Sequence, residues 1–546
     1  MIVNLSLHLM RNSSRIGIRT LLFVAIAANL LCASPADERP PNIVFILADD
    51  LGITDINAFA SHFTGDAPEK LFYETPHLDQ LASDGIPFSQ SYANQLCSPT
   101  RAAILSGRIA SRLGFTTATP NTRTYFNQGI TPPEGASPHD AFAHKDSIKS
   151  PQAWINANSN TALDPEIPTL PQVLKTYDSA FLGKWHLGGH GVSELQPSAH
   201  GFRELAFLDA GGSPYFSWQA TWNNRKAHFP KQPGEYRIGQ AGKPTGEDYL
   251  TDDLTARACN YIRERAALPK GSKPFLLYYC PFAVHTPLQA PAEDIAHFEE
   301  KKQRGHLGHN NPTYAAMLKH LDISVGEIRQ ALEETGLSQD TIIVFTSDNG
   351  GVEYTDPAAT DNQPFKGGKA CLYEGGVRVP TIIYWPDHYE GGTWCNQVID
   401  ATDFLPTLAE LSGNPLPDDI DGLSLIKVLK NPEKEQSPRT LIWHYPFNVI
   451  VKHPDHGRPL TPHSAIRVGD HKLIWDWHGS LELYDIPSDP YEENDLASTK
   501  PELTSALHQQ LKQWLSDHVA KPYFPTPNPH FDPEAPGQAF PFKDLR

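Results

Sequence analysis

The sequence predicts an α/β protein: a large, mostly parallel sheet flanked by helices, followed by a smaller C-terminal subdomain of antiparallel sheet plus helix. Three observations carry this. Continuous apolar runs at 41–48, 274–279 and 341–346 have the length and character of strands buried on both faces of a parallel sheet. Helical segments lie between them, the clearest being the stripe Tyr314, Met317, Leu318, Leu321, Val325, Ile328 and Leu332. After Asn431-Pro432-Glu433 the pattern changes to short strands with turns. A chain of 546 residues suits one large domain with a smaller one. The expected division is 1–36 as a signal segment, 37–435 as the large N-terminal domain and 436–546 as the C-terminal subdomain with an extended tail.

Taken in order, Arg11, Arg15 and Arg19 precede an apolar run from Leu21 to Leu31, too short to span a membrane, and Ser34-Pro35-Ala36 offers a small-residue cleavage site. This predicts export to a periplasm or beyond, with no membrane span. The run 41–48 stops at Asp49-Asp50, placing two hard oxygen donors at the carboxyl end of a buried strand, where open α/β sheets hold ligands. Thr75 to Ala82 reads as a capped helix ending near Gly85, and Ile86 to Ala93 as a strand. From Phe115 to Pro168 there is little periodicity, so a long loop forming a pocket wall is expected. Thr169 to Tyr177 looks helical, and Ala180-Phe181-Leu182 leads into Gly183-Lys184-Trp185-His186. If that segment is extended, Lys184 and His186 share one face, a fixed cation beside a proton carrier.

A helix from about Asp248 to Arg263 leads to the strand at 274–279, after which come His285-Thr286-Pro287. The strand at 341–346 ends in Ser347-Asp348-Asn349-Gly350-Gly351, again a carboxylate and an amide at a carboxyl end. Then follow Phe365-Lys366-Gly367-Gly368-Lys369, whose glycines allow close backbone approach to a ligand, and a helix near Asp403 to Leu411. Strands are expected at 465–468, 472–475 and 481–484, with a helix over Glu502 to His518.

The formal charge is −18; removing residues 1–36 takes away three arginines and no acids, giving −21. This argues against nucleic-acid binding, which needs a basic surface. Five cysteines remain beyond Cys32: Cys97, Cys259, Cys280, Cys371 and Cys395. The odd count fits one chemically committed residue and up to two disulfides, with no Cys-x-x-Cys zinc pair.

The stretch with the most specific chemistry is Cys97-Ser98-Pro99-Thr100-Arg101, followed by Ala102 to Arg108. Ser98 as a cap and Pro99 in the first turn put the cysteine just outside a helix N-terminus, where backbone N–H groups and Arg101 favour an anion. This run, with the four other motifs in the same order over 41–496, resembles the type I sulfatases of the alkaline phosphatase superfamily. In that family this cysteine becomes formylglycine through a formylglycine-generating enzyme. The resemblance implies an alkaline-phosphatase-like fold and a sulfuric ester hydrolase acting on a sulfated polysaccharide or oligosaccharide. It implies one Ca2+ held by Asp49, Asp50, Asp348 and Asn349 and facing modified Cys97. His186 would handle the proton on formylglycine while Arg101 orients it. His285 would protonate the leaving oxygen, Lys184 and Lys369 would clamp the sulfate, and Ser213 would lie near it.

The chemistry suits these residue types. A sulfuryl group is anionic and repels nucleophiles, so cations must hold it. An aldehyde hydrate attacks with one hydroxyl and expels sulfate through the other, dividing the reaction into two easier steps. Phosphodiesterases and phosphonate hydrolases share the scaffold, but a two-metal phosphatase would need further Asp or His ligands. A non-catalytic carbohydrate-binding relative would have lost part of the charged set, and here every position is filled. Tyr215, Phe216, Trp218 and Trp222 either stack on sugar rings or pack within their loop.

Overall fold

The computed structural model describes residues 39–119, 140–141, 153–188, 193–224, 239–241, 248–386, 388–434, 437–449, 451–455, 457, 460 and 462–532. The expected signal segment and the expected domain boundary at 435/436 lie outside them.

The main sheet has nine strands: β1 (Asn42–Ala48), β2 (Ile86–Tyr92), β3 (Asp178–Lys184), β4 (Arg203–Leu208), β5 (Gly239–Gln240), β6 (Phe275–Cys280), β7 (Thr341–Ser347), β8 (Thr381–Tyr384) and β9 (Cys395–Asp400). Their order is β9-β2-β8-β7-β1-β6-β3-β4-β5, and only β8 and β5 run against the rest. The predicted mostly parallel sheet is therefore present, and β1 at its centre is buried along its whole length. Valine, isoleucine, leucine and phenylalanine cover both of its faces, so packing from either side excludes water.

Register does the positioning. β1 pairs with β7 from Asn42 opposite Thr341 to Ala48 opposite Ser347, so Asp49-Asp50 and Asp348-Asn349 leave the sheet side by side. On the other flank Ile46 pairs with Tyr279, and Gly183 with Cys280, which delivers Lys184 to the same edge.

Helices cover both faces: α1 (Pro76–Asp84), α2 (Cys97–Ser106), α3 (Leu250–Ala266), α4 (Pro312–Glu334) and α5 (Phe404–Leu411). In α4 the predicted stripe is buried throughout, from Tyr314 to Leu332. The first turn of α1 is not capped by Thr75. Its free backbone N–H groups at His77 and Leu78 donate instead to the Asp322 carboxylate of α4, at 3.2 and 2.7 Å. The C-terminal sheet has four antiparallel strands, β10 (Thr440–Tyr445), β11 (His463–Val468), β12 (His471–Asp476) and β13 (Leu481–Asp485), and α6 (Pro501–His518) packs on it through Leu507, Leu511 and Leu515. The Lys472 ammonium, fully buried on β12, lies 2.8 Å from Glu374 and 2.9 Å from Glu492.

Several expectations need correction. Cys97 is the first residue of α2 rather than outside it. Ser98 is no cap, because its hydroxyl accepts the backbone N–H of Thr119 at 3.0 Å. The helix expected over 169–177 is only Leu170–Val173, because Tyr177 must reach the Pro41 carbonyl and β3 starts at the next residue. His186 does not continue β3: its φ is +52°, so alternation along a strand does not relate it to Lys184. No disulfide joins Cys97, Cys259, Cys280, Cys371 and Cys395; each is buried as a free thiol. No described helix is long and apolar enough to cross a membrane.

Candidate active site

Beyond the carboxyl ends of β1, β3 and β7 the structure gathers most of the residues singled out in the sequence. Asp49, Asp50, Cys97, Arg101, Lys184, Asp348, Asn349 and Lys369 are all at most 5 % exposed. Ligand atoms of Asp49, Cys97 and Asp348 lie within 4.8 Å of one another, and so do those of Asp49, Asp50 and His285.

Ion pairs hold the cluster. Lys184 Nζ lies 2.7 and 2.8 Å from the Asp49 carboxylate oxygens, and Lys369 Nζ lies 2.6 and 2.7 Å from those of Asp50. Arg101, one helical turn after Cys97, grips one oxygen of Asp348 with Nε at 3.0 Å and Nη2 at 2.7 Å. Its Nη1 donates to the Lys184 carbonyl at 2.8 Å. Three carboxylates thus face three fixed cations. Burial works to raise the Asp50 carboxyl, but Lys369 and His285 outweigh it and hold it below the usual range. The Cys97 thiol is pushed up by burial, against the pull of Lys184 and Lys369.

Asn349 gives the clearest sign of a missing partner. Its Nδ2 donates to Asp50 Oδ1 and to the Gly350 carbonyl, both at 2.9 Å, while Oδ1 is buried with no hydrogen-bond partner. A buried carbonyl oxygen beside three carboxylates is an oxygen donor set of the kind that hard divalent cations take. The residues fit a calcium ion.

Both histidines are shifted down. Burial lowers His186 well below its ordinary range, helped by Lys184 and Arg101; its Nε2 lies 3.4 Å from the Thr119 carbonyl and its Nδ1 is buried without a hydrogen-bond partner. Burial lowers His285 to about 3 in spite of Asp50. Its Nδ1 lies 2.5 Å from the Thr286 carbonyl and must carry the hydrogen, leaving Nε2 facing Asp50 at 3.6 Å. Ser213 is buried nearby, but its hydroxyl is engaged: it donates to the Pro214 carbonyl at 3.0 Å and accepts the Trp222 indole N–H at 2.8 Å.

Three participants were not foreseen. The Thr119 carbonyl comes from the loop expected to wall the pocket. Gly211 lies so close to His186 that an added Cβ would meet its ring at 2.8 Å. Tyr354, in a stretch without periodicity, is well exposed and stands near enough to Lys369, Asp50 and Cys97 to feel their charges. Gly211-Gly212 before Ser213 was the one available signal, since paired glycines mark close approach.

The family model for sulfatases matches residues 41–414, and that for the C-terminal region of N-sulphoglucosamine sulphohydrolase matches 367–520. Mouse N-acetylgalactosamine-6-sulfatase is 31 % identical over 477 residues, covering 85 % of this chain and 77 % of its own. Human arylsulfatase A is 30 % identical, with 89 % of each chain covered. The crystal structure of Ps i-CgsB in complex with k-i-k-neocarrahexaose superposes with a TM-score of 0.65 at 26 % identity, covering 89 % of this chain and 95 % of that one. With one family model spanning most of the chain and relatives of this identity along it, the chain belongs to the sulfatase family of sulfuric ester hydrolases.

Proposed function

We propose that the protein is an exported sulfatase that hydrolyses a sulfate ester on a sulfated carbohydrate, using formylglycine made from Cys97 by a formylglycine-generating enzyme, together with one Ca2+. The observation that carries this is the buried cluster in which Cys97, three carboxylates, the unpartnered Asn349 Oδ1 and three fixed cations converge. Three carboxylates balance Arg101, Lys184 and Lys369, so a divalent cation leaves the site positive and suited to an anionic ester. Sulfated carbohydrate is favoured by the names of relatives such as N-acetylgalactosamine-6-sulfatase and by the k-i-k-neocarrahexaose bound to Ps i-CgsB.

Asp49, Asp50, Asp348 and Asn349 would hold the calcium ion. When present, formylglycine supplies an oxygen nucleophile as its hydrate, and calcium supplies a Lewis acid for the sulfate oxygens. Arg101 orients the residue at position 97 from one turn along α2. His186 accepts a proton at Nδ1, the nitrogen without a partner. Lys184 and Lys369 hold the sulfate oxygens and offset the charge that builds on them. His285, with Nδ1–H fixed by the Thr286 carbonyl, must first take up a proton at Nε2, which the anionic ester beside it favours, and then gives that proton to the departing alcohol oxygen. Ser213 acts from behind, by fixing Trp222 and the chain that follows Gly211-Gly212.

The test is the mass of the tryptic peptide containing residue 97 after co-expression with a formylglycine-generating enzyme, followed by sulfate release from sulfated saccharides. Conversion lowers the peptide mass by about 18 Da. An unmodified thiol under those conditions would remove the nucleophile and overturn the reading.

A further inference from the structure

Among the described residues five large apolar side chains are exposed: Phe216, Leu268, Tyr354, Leu416 and Leu423. The only two aromatic ones both belong to segments bordering the charged cluster. Exposed aromatic surface beside a polar site is the usual lining of a ligand groove.

Phe216 ends a segment laid directly over both histidines. A Cβ on Gly211 would meet the His186 ring at 2.8 Å, and one on Gly212 would meet the His285 ring at 3.3 Å. The rest of the aromatic run anchors this segment. Tyr215 is fully buried, its hydroxyl 2.6 Å from the Phe282 carbonyl and 2.9 Å from that of His285, and its backbone N–H donates to Gln289 at 2.9 Å. Trp218 and Trp222 are also buried and pack on each other, with ring centroids 4.6 Å apart. Packing therefore accounts for three of the four aromatic residues in this stretch. Phe216 is the exception: it rests against Tyr249 at 5.2 Å between centroids and keeps 40 % of its surface in solvent.

Tyr354 holds the matching place beside Lys369. It follows Gly351, whose carbonyl accepts the Lys369 backbone N–H at 2.9 Å, and it is 39 % exposed. His285 and Lys369 both reach the Asp50 carboxylate, so the segments that carry the two aromatic residues border one anion-binding centre.

We propose that Phe216 and Tyr354 are specificity-determining residues that stack on the apolar faces of the pyranose rings at and next to the sulfated position. This rests on the carbohydrate reading above. Charge recognises the sulfate whatever carries it; flat apolar faces beside the charge select a ring whose C–H groups lie on one side.

The experiment uses enzyme carrying formylglycine and calcium. It compares KM for N-acetylgalactosamine 6-sulfate and for sulfated carrageenan oligosaccharides with the inhibition constant of inorganic sulfate, which reads the anion centre alone. Phe216→Leu and Tyr354→Leu are expected to raise the ratio of saccharide KM to sulfate inhibition constant at least tenfold. Phe216→Trp, which keeps a flat face, is expected to hold that ratio within about threefold of the parent. An unchanged ratio in the leucine variants, or a parallel rise of both constants, would overturn the stacking proposal. A parent enzyme that releases sulfate from aryl sulfates and from no saccharide would instead overturn the carbohydrate reading beneath it.

Discussion

Lys184 and Asp49 form an ion pair at 2.7 Å with both side chains fully shielded from solvent. Burial pushes the Asp49 carboxyl well up and Lys184 pulls against it, so removing the lysine takes away the partner that offsets the burial of this acid. Lys184→Ala is therefore expected to cost about 3–5 kcal/mol of stability in calcium-free buffer, read from urea unfolding. Calcium, binding the folded state only, should recover part of that loss by mass action. An unaltered urea midpoint would mean that Asp49 is stabilised by something other than this lysine.

Asn349 Oδ1 is the donor that the protein alone leaves unused. Asn349→Ala removes that oxygen together with the Nδ2 bonds to Asp50 and Gly350. Calcium affinity measured by titration calorimetry should fall at least tenfold. In EDTA the variant should lose only about 1–2 kcal/mol, the value of the two amide hydrogen bonds. Equal calcium affinity in parent and variant would place the ion elsewhere.

Gly211 faces the imidazole of His186, and a methyl group there would sit 2.8 Å from Cε1 and Nε2. The ring must move, and a displacement approaching 1 Å at a proton-transfer group costs roughly 100-fold in rate. Gly211→Ala is expected to lower kcat by about that factor. Gly212→Ala, whose Cβ would find His285 at 3.3 Å, should lose much less. Steady-state kinetics on one substrate with both variants makes the comparison, and equal losses would show that the two histidines do not depend on this close approach.

The site was legible in the sequence wherever a buried strand delivers it. The apolar runs of β1 and β7 announce themselves, and parallel pairing of neighbours puts Asp49, Asp50, Asp348 and Asn349 at one edge. Cys97 and Arg101 follow from a helix start and a one-turn spacing. What could not be read was long-range pairing. Nothing near Lys184 shows that its partner is Asp49, nor does anything near His186 point to the Thr119 carbonyl. Local capping rules also misled at Ser98, because tertiary contact with Thr119 claimed its hydroxyl. The edge strands β9 and β10, and β4 next to the edge, carry mixed polar and apolar residues and so gave weaker signals than the central ones.

The same kind of long-range contact makes the fold sensitive to pH at Asp322. Its carboxylate receives the backbone N–H groups of His77 and Leu78 at the start of α1, yet burial outweighs those bonds and pushes the carboxyl up to about 7 from an ordinary 3.8. Between about pH 4 and 7 the folded chain keeps this proton and the unfolded chain does not. The contribution of Asp322 to stability is therefore greatest below the unfolded value and is lost as pH rises towards 7, by up to about 4 kcal/mol. Asp322→Asn cannot titrate and still offers one acceptor oxygen, at the loss of the second bond, about 1 kcal/mol. Relative to the parent, the variant should gain stability steadily from pH 4.5 to 7 and then hold a constant advantage to pH 8. Urea midpoints across that range make the measurement, and curves that stay parallel would show that Asp322 is ionised throughout, with the α1 backbone solvating its charge in full.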